Sequence, residues 1–428
     1  MMPNFAKNAA IFVILLLVSG AFIDLIVDPS LNSTTSTSGD EHAQLMWGIV
    51  DCAVVIACVM HGRQFVRVAS RQPWIVLFVA WSALSLAWSD FPLLTLRRIV
   101  GLICTMALGF LLGMRFEMKA LLRLVVLALG VTIPLSFIAA IFFPSYGIMH
   151  RLDAIGWRGV YNHKNPLGIS MGIDLIAMAC LLWESRQNRF LYQLLLLPAA
   201  VLLLLSRSMT AIIVTAITLC LGSYVRLRLH RAHKVAIYVM TLLAAFGAAI
   251  LLQGRMDSIF GLIGRDSSLT GRIPLWQYSI AAILERPVLG AGYDAFWSGK
   301  GGDYIRVLVR WPAPHAHNSF LELALNVGLI GLVIFLVCIS KIFPLALRYS
   351  KESRNPLRLW PLLFYTYFFL SCFTEAPAVD RHALTFVLFC AISVSMAEAE
   401  AEATEYELEN EFMPSEIMAD SGMIQEPS

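Results

Sequence analysis

The stretch Ser319–Ser340 reads SFLELALNVGLIGLVIFLVCIS and contains one charged side chain, that of Glu322. A helix needs about 20 mostly apolar residues to cross about 30 Å of hydrocarbon. Inside a bilayer, each backbone polar group must be paired within the protein, which favours a helix over an open strand. The stretch therefore predicts a transmembrane helix.

Eleven further apolar runs repeat this pattern. They lie at 9–27, 43–60, 74–88, 99–114, 120–143, 167–183, 190–205, 211–225, 235–252, 358–374 and 383–396. The 428 residues are 58% hydrophobic and 14% charged, whereas about a quarter of the residues of a soluble protein are charged. This composition excludes an ordinary cytosolic enzyme. We predict an all-α polytopic membrane protein with about 12 transmembrane helices.

One connection is much longer than the others and divides the predicted helices. Residues 253–318 separate nine spans, in residues 1–252, from three spans, in residues 319–396. Long loops in compact domains are usually functional, and the helical spacing of Ile273–Glu285 predicts a cap of short helices. Residues 397–428 hold ten acidic residues and no Lys or Arg, which predicts an acidic, disordered cytoplasmic tail.

The basic residues orient the predicted helices. With a cytoplasmic N-terminus, the cytoplasmic loops together with Lys7 hold 16 Lys and Arg, and the short outer loops hold 7. The positive-inside rule then places both termini in the cytoplasm and the long loop outside. The long loop adds 7 basic residues, so 14 lie on the translocated side, where the rule disfavours them. We interpret this excess as the mark of an anionic ligand at the membrane surface.

Three arginines at the outer ends of spans are candidates for binding that ligand. Arg97 and Arg98 begin the fourth span, and Arg207 lies between the seventh and eighth. Because a guanidinium binds phosphate oxygens in a bidentate manner, these residues suit a lipid pyrophosphate. The alternatives are that they anchor helix ends at lipid headgroups, or that nearby acids neutralise the basic loops as surface pairs of little energetic value.

Histidines at the mouths of two spans are candidates for proton transfer. His163 precedes the sixth span, and His315 and His317 precede the tenth. We expect no metal site, because the sequence offers no third ligand of the usual kind near the histidine pair. A neutral imidazole could instead take a proton from a sugar hydroxyl. Glu322, an intramembrane carboxylate, is expected to have a specific partner, and Asn318 is a candidate N-cap.

Three stretches resemble a known family. Residues Thr270–Trp297 read TGRIPLWQYSIAAILERPVLGAGYDAFW, and His315–Phe335 read HAHNSFLELALNVGLIGLVIF. In this order around the long loop, they are similar to the signature of the O-antigen ligase/polymerase superfamily. RGVYNHKNPLG (Arg158–Gly168) resembles its ExoQ-like exopolysaccharide-polymerase branch. The resemblance spans 151–331 in motifs and the whole chain in layout.

The resemblance implies a bacterial inner-membrane enzyme with a large periplasmic loop. Such an enzyme would be a metal-independent, inverting glycosyltransferase of the GT-C type, without a cofactor, that uses a glycan on undecaprenyl pyrophosphate. It would use His317 to activate the acceptor hydroxyl and Arg272 as the loop arginine. Arg97, Arg98 and Arg207 would hold the pyrophosphate. Glu322 and the branch-specific His163 and Lys164 would be further residues that bind substrate.

Three alternatives remain open from the sequence. A polymerase would extend a lipid-linked repeat, and a ligase would transfer the glycan to lipid A–core. A transporter or flippase would use acids within spans, for which Asp24, Asp51 and Asp174 are candidates. A scaffold of an export complex would tolerate changes at His317 and Arg272. We expect the bilayer, the lipid-linked glycan and other polysaccharide export proteins as partners, and no nucleic acid.

Overall fold

The computed structural model describes residues 4–23, 41–151, 154–184, 189–226, 272–351, 355–378 and 380–411. The first block of helices comprises α1 (Asn4–Val18), α2 (Glu41–Met60), α3 (Gly62–Arg71), α4 (Pro73–Leu84), α5 (Pro92–Arg115), α6 (Met118–Phe142), α7 (Pro144–Gly147), α8 (Lys164–Glu184), α9 (Arg189–Leu205) and α10 (Met209–Arg226). The second block comprises α11 (Arg272–Glu285), α12 (Lys300–Val309), α13 (Ser319–Tyr349), α14 (Trp360–Ser371) and α15 (Leu384–Glu411). A small antiparallel hairpin joins β1 (Ile148–Arg151) to β2 (Ala154–Trp157).

The predicted all-α polytopic membrane fold is confirmed. Among the described residues, six helices are long and apolar enough to cross a membrane, namely α2, α5, α6, α8, α13 and α15. Helices α1, α9 and α10, and α4 with the 3-10 turn after it, are shorter apolar helices. Eleven of the twelve predicted spans coincide with a helix. The ninth, 235–252, and the first part of the long loop, 253–271, lie outside the described residues.

Two helices differ in extent from the sequence expectation. Helix α3 (Gly62–Arg71) occupies a segment predicted to be a cytoplasmic loop, and its Arg71 pairs with Glu398 at 2.8 Å. Helix α15 does not end at residue 396 but continues to Glu411, so 397–411 is helical where we predicted disorder. Alternating Ala and Glu are strong helix formers, and they continue a helix already nucleated in the apolar segment.

Small residues bring α5 and α15 together in the centre of the bundle. A Cβ atom added at Gly109 would lie 2.5 Å from the Cβ of Cys390, and one at Gly113 would lie 2.5 Å from the carbonyl oxygen of Ala391. The spacing of four residues places both glycines on one face of α5. Without side chains there, the two backbones approach closely, as is common between helices in membranes.

Helix α13 is broken at Gly328, where φ is +71° and ψ is −179°. The break lets the long loop pack against helix backbone. Leu329 N–H donates to the Pro287 carbonyl at 2.8 Å, and Ala291 N–H donates to the Leu325 carbonyl at 2.9 Å. A Cβ at Gly328 would lie 2.0 Å from the carbonyl oxygen of Val288. The loop thus satisfies backbone groups that the break releases, as irregular backbone at a membrane requires.

Candidate functional site

Arg272, His317 and Glu375 meet at the mouth of the bundle. Arg272 begins α11, His317 lies just before α13, and Glu375 follows α14. An Arg272 N–H donates to Glu375 Oε1 at 3.2 Å, and His317 Nδ1 lies 3.2 Å from Glu375 Oε2. A second N–H of Arg272 donates to the Thr374 carbonyl at 2.8 Å. One buried carboxylate therefore orients both the predicted loop arginine and the predicted base.

Tight local bonding fixes the backbone around His317. His317 adopts a left-handed conformation, with φ of +49°, which is uncommon for a residue with a side chain. Its neighbour Ala316 donates its N–H to Glu322 Oε2 at 2.8 Å and accepts from the Trp276 indole at 2.9 Å. Trp276 lies one turn after Arg272 on α11. Trp276 in the long loop and Glu322 in α13 therefore hold the His317 segment in place.

The carboxylate of Glu322 lies beneath the His317 segment and is 2% exposed. It accepts hydrogen bonds from the Trp297 indole at 2.9 Å and from the Asn326 side chain at 2.8 Å, besides the Ala316 N–H. Glu322, which we predicted to bind substrate, is thus enclosed by protein partners. Asn318 caps α13 as predicted, accepting from the N–H groups of Phe320 and Leu321.

Electrostatics keep Glu375 ionised. Burial alone would raise the pKa of Glu375, but electrostatic interaction and a hydrogen bond with His317, together with the charge of Arg272, outweigh burial and hold this pKa below its usual range. An ionised carboxylate can accept a hydrogen bond but cannot donate one. The proton between Glu375 and His317 is therefore assigned to His317 Nδ1. The Nε2 atom of His317 then carries the lone pair and can accept a proton.

His315 packs against His317, with ring centroids 4.0 Å apart, and its Nδ1 accepts the His317 N–H at 3.0 Å. Burial, followed by the nearby charges of His317 and Arg272, lowers the pKa of His315 to about 3. His315 is therefore neutral near pH 7.

This lowered pKa predicts a pH dependence of stability. Between the ordinary His pKa of 6.5 and about 3, the unfolded chain binds a proton at residue 315 that the folded chain does not bind. Stability should therefore fall as the pH falls from 6.5 to 4. His315→Gln retains a hydrogen-bond acceptor but cannot bind this proton. The slope of stability against pH should therefore be smaller in this variant, by up to the slope that one bound proton produces. Thermal unfolding in detergent at several pH values measures the slopes, and equal slopes would contradict the prediction.

The histidine pair gains a third metal-binding group that the sequence did not place nearby. His315, His317 and Glu375 offer ligand atoms that all lie within 4.8 Å of one another. Both oxygens of Glu375 are already engaged, since Oε1 accepts from Arg272 and Asn165 and Oε2 lies against His317. A cation here would also face the positive charge of Arg272, so this donor set fits a hydrogen-bonded dyad better than a metal.

The N-terminal end of α8 forms one side of the site. Asn165 donates to Glu375 Oε1 at 2.8 Å, and the Asn165 N–H bonds to His163 Nδ1 at 3.2 Å. Gly156 packs against both Lys164 and the turn that carries Arg207. A Cβ atom added at Gly156 would lie 3.2 Å from Lys164 Cδ and 2.4 Å from the Ser206 carbonyl oxygen. Lys164 and that turn are therefore close to each other. His163, Lys164 and Arg207 therefore lie around the end of α8 that contacts Glu375.

Arg97 and Arg98 belong to a second basic group, which also contains Arg381. Arg98 and Arg381 both pair with the carboxylate of Asp294, and Arg98 also bonds to Ser298 at 3.2 Å. Arg97 lies near enough to Arg381 for their charges to repel. The connection 372–383, between α14 and α15, carries Glu375 near its start and Arg381 near its end. A single connection thus carries one residue of each basic group.

Glu375 and Arg381 are the site residues that sequence reasoning missed. The stretch FTEAPA (Phe373–Ala378) places the single charge of Glu375 among apolar and small residues at the mouth of two spans. A single charge in such apolar surroundings is the sequence feature that could have indicated a functional role for Glu375. The sequence does not link Arg381 to Arg98, because their shared contact with Asp294 joins distant segments of the chain.

The acids considered for ion coupling have different surroundings. Asp51 Oδ1 lies 2.9 Å from His382 Nε2, so it has a partner just before the start of α15. Asp174 is fully buried in α8, and neither carboxylate oxygen has a hydrogen-bond partner. Asp24 lies outside the described residues. In the described part of the chain, these acids do not converge on a shared ion site.

Comparisons with known proteins agree with the motifs. A model of the O-antigen ligase family matches residues 192–336. The exopolysaccharide production protein ExoQ of Rhizobium meliloti is 28% identical over 303 residues, which are 66% of this chain and 67% of that protein. A Rickettsia conorii protein provisionally named a polysaccharide ligase is 31% identical over 98 residues, or 22% of each chain.

A solved structure from a peptidoglycan synthase complex aligns with a TM-score of 0.45 and 16% identity, over 77% of this chain and 97% of its own. That score is too low to establish a shared fold. The similarity to the O-antigen ligase family that we predicted is confirmed by the sequence comparisons. It supports a membrane protein with a function of the polysaccharide ligase or polymerase type.

Proposed function

We propose that the chain is a glycosyltransferase of the bacterial inner membrane that acts at the periplasmic surface. The donor is a glycan on undecaprenyl pyrophosphate, and the acceptor is a sugar hydroxyl. The observation that carries this proposal is the contact of His317 Nδ1 with Glu375 Oε2 at 3.2 Å, next to Arg272. This arrangement leaves His317 Nε2 available as a base beside a guanidinium suited to phosphate.

In the proposed reaction, His317 Nε2 removes the proton of the acceptor hydroxyl as its oxygen attacks the anomeric carbon of the donor. The new C–O bond forms on the face opposite the bond to phosphate, so configuration inverts. Glu375 stabilises the imidazolium that develops, as a carboxylate does in a catalytic triad. Positioning the two sugars and supplying the base are the main requirements on this side of the reaction.

On the donor side, the bond from the anomeric carbon to the phosphate oxygen breaks, and lipid pyrophosphate leaves with the electron pair. Arg272 lies at the His317 site, Lys164 precedes Asn165 of the same site, and Ser206, which precedes Arg207, lies close to Lys164. We infer that the positive charge of these three basic residues offsets the charge that develops on the leaving group. Arginine and lysine can do this without a metal ion. Metal independence is therefore part of the proposal.

A purified chain in detergent tests the function directly. Incubation with an undecaprenyl-pyrophosphate oligosaccharide and an acceptor glycan should yield a longer glycan and free lipid pyrophosphate, in the presence of EDTA as in its absence. Detergent leaves no membrane to cross, so product formation separates an enzyme from a transporter. Absence of product with any lipid-linked donor would contradict the proposed glycosyl transfer. Complete loss of product with EDTA, restored by a divalent cation, would contradict metal independence.

The conservative variant Arg272→Lys tests whether phosphate recognition needs a planar, bidentate donor. Arg272 makes separate hydrogen bonds to Thr374 and Glu375, which a lysine ammonium cannot reproduce with the same geometry. We expect kcat/KM for the donor to fall by about tenfold or more, since hydrogen bonds to charged groups contribute about 1.5–3 kcal/mol. Arg286→Lys, at an exposed arginine that pairs with Asp90, is the matched control and should retain activity.

A further inference from the structure

The long loop contains three tryptophans, Trp276, Trp297 and Trp311. Two of them use the indole N–H to hold the segment before α13. Trp276 donates to the Ala316 carbonyl at 2.9 Å, and Trp297 donates to Glu322 at 2.9 Å. The Nε1 atom of Trp311 is buried and has no hydrogen-bond partner among the described residues. Because a buried indole N–H usually has such a partner, hydrogen bonding within the described chain does not account for the third tryptophan.

Trp311 lies beside the proposed base. The ring centroids of Trp311 and His317 are 5.8 Å apart, and the two planes are 38° from parallel. Trp311 also packs against an apolar cluster within the loop that contains Leu275 and Ile305, while its side chain stays partly exposed. The loop therefore supports one part of the indole ring and leaves another part open near the imidazole.

The backbone that carries Trp311 is restrained on its C-terminal side. The Ala313 N–H donates to the Trp311 carbonyl at 2.8 Å, which closes a tight turn. The guanidinium of Arg306 donates to the Ala313 carbonyl at 3.0 Å and so ties this turn to α12. Pro312 and Pro314 lie on either side of Ala313, and their rings fix the backbone angle φ at both positions. Trp311 is therefore held at a defined place in front of the histidine pair.

We propose that Trp311 is the binding platform for the acceptor sugar, and that its indole stacks on the sugar ring whose hydroxyl gives its proton to His317. This inference rests on the proposed function and deepens it by naming a residue for acceptor recognition. Arg272 marks the place of the donor diphosphate, whereas the ring of Trp311 neighbours the base. Because the base acts on the acceptor, the sugar on Trp311 is the acceptor rather than the donor.

The chemistry of a sugar ring suits this arrangement. A sugar presents hydroxyl groups at its edge and apolar C–H groups on its face, so it fits a site that combines an aromatic surface with a few polar groups. Trp311 supplies the aromatic surface, and His317 supplies the polar group. An indole has only two side-chain torsions, and the loop already restrains this one. Binding therefore costs little side-chain conformational freedom.

Saturation-transfer difference NMR tests the platform without catalysis. The probe is the oligosaccharide repeat released by mild acid from the lipid-linked glycan of the cells that make this chain, and the protein is the full chain in detergent. Saturation of aromatic protein signals should reach the C–H protons of the sugar in the wild type. Trp311→Phe, which keeps a flat ring, should retain this transfer, whereas Trp311→Leu and Trp311→Ala should lose it. No transfer in the wild type, or unchanged transfer in Trp311→Ala, would overturn the proposal.

Kinetics of the purified chain separate acceptor binding from donor binding. With a lipid-free acceptor oligosaccharide, Trp311→Ala should raise the KM for the acceptor by about tenfold, or about 1.4 kcal/mol of binding free energy. The KM for the lipid-linked donor should stay the same, and Trp311→Phe should recover most of the acceptor affinity. Trp74→Ala is the matched control, at a tryptophan that is 37% exposed at the start of α4, and should change neither KM.

Failure of this inference and failure of the proposed function give different results. A rise in the donor KM alone would assign Trp311 to the donor glycan, and an equal rise in both KM values with a lowered Tm would show that the indole only packs the loop. Either result overturns the acceptor platform and leaves glycosyl transfer standing. A wild type that binds the oligosaccharide through Trp311 but transfers no glycan would instead contradict the proposed function and keep the sugar platform.

Discussion

Replacement of His317 by alanine should reduce glycan transfer by about 10²–10⁴-fold, the usual contribution of a general base. Nδ1 of His317 contacts Glu375. Nε2 of the same ring can therefore accept the proton of the acceptor hydroxyl. The loss should appear in kcat, because the base acts on the hydroxyl as it attacks. Transfer is measured with purified chain and a lipid-linked donor.

His61→Ala is the matched control for this variant. His61 is exposed and bonds to the Ala57 carbonyl within its own helical region, so its loss should leave transfer unchanged. Thermal unfolding of both variants in detergent checks that they remain folded. Wild-type transfer by the His317 variant would remove this histidine from the reaction.

Glu375→Gln should lower transfer by a comparable factor, about 10²–10⁴-fold. An ionised carboxylate accepts the Nδ1 proton of His317, whereas a glutamine amide can donate to Nδ1 and favour the tautomer with its proton on Nε2. That tautomer cannot take a proton from the acceptor. Glutamine also removes the charge that pairs with Arg272 at 3.2 Å.

Two comparisons distinguish this effect from a loss of folding. Glu375→Asp keeps the charge and should recover part of the activity, while Asp90→Asn, at an exposed acid paired with Arg286, should leave activity unchanged. If Glu375→Asp is as inactive as Glu375→Gln, length rather than charge is decisive, and the tautomer explanation is wrong.

The helical layout was predictable because it depends on long local patterns. Apolar runs of about 20 residues specify spanning helices without knowledge of their neighbours, and Pro92 and Asn318 lie at or next to helix starts, where their backbone chemistry suits them. The extent of α15 does not follow from the acidic composition of 397–411, because the helix propensity of Ala and Glu extends a helix that has already formed.

The site was predictable only in part. His317 and Arg272 could be placed from their motifs, but their meeting point, Glu375, lies about 58 and 103 residues away in sequence. Nothing local to FTEAPA indicates which histidine the carboxylate contacts. The same holds for Arg381 and Asp294, which come from different segments. Contacts of this kind arise from the packing of helices, which a single sequence does not specify.

The break in α13 determines which segments can be exchanged between related proteins. The loop at Pro287–Gly292 and the helix at Leu325–Leu329 share backbone hydrogen bonds, and Gly328 leaves no room for a side chain against Val288. A chimaera that takes only the loop would pair foreign backbone with a native helix. A chimaera with a relative should therefore fold when residues 272–331 are transferred together, so that the loop and the helix still match each other.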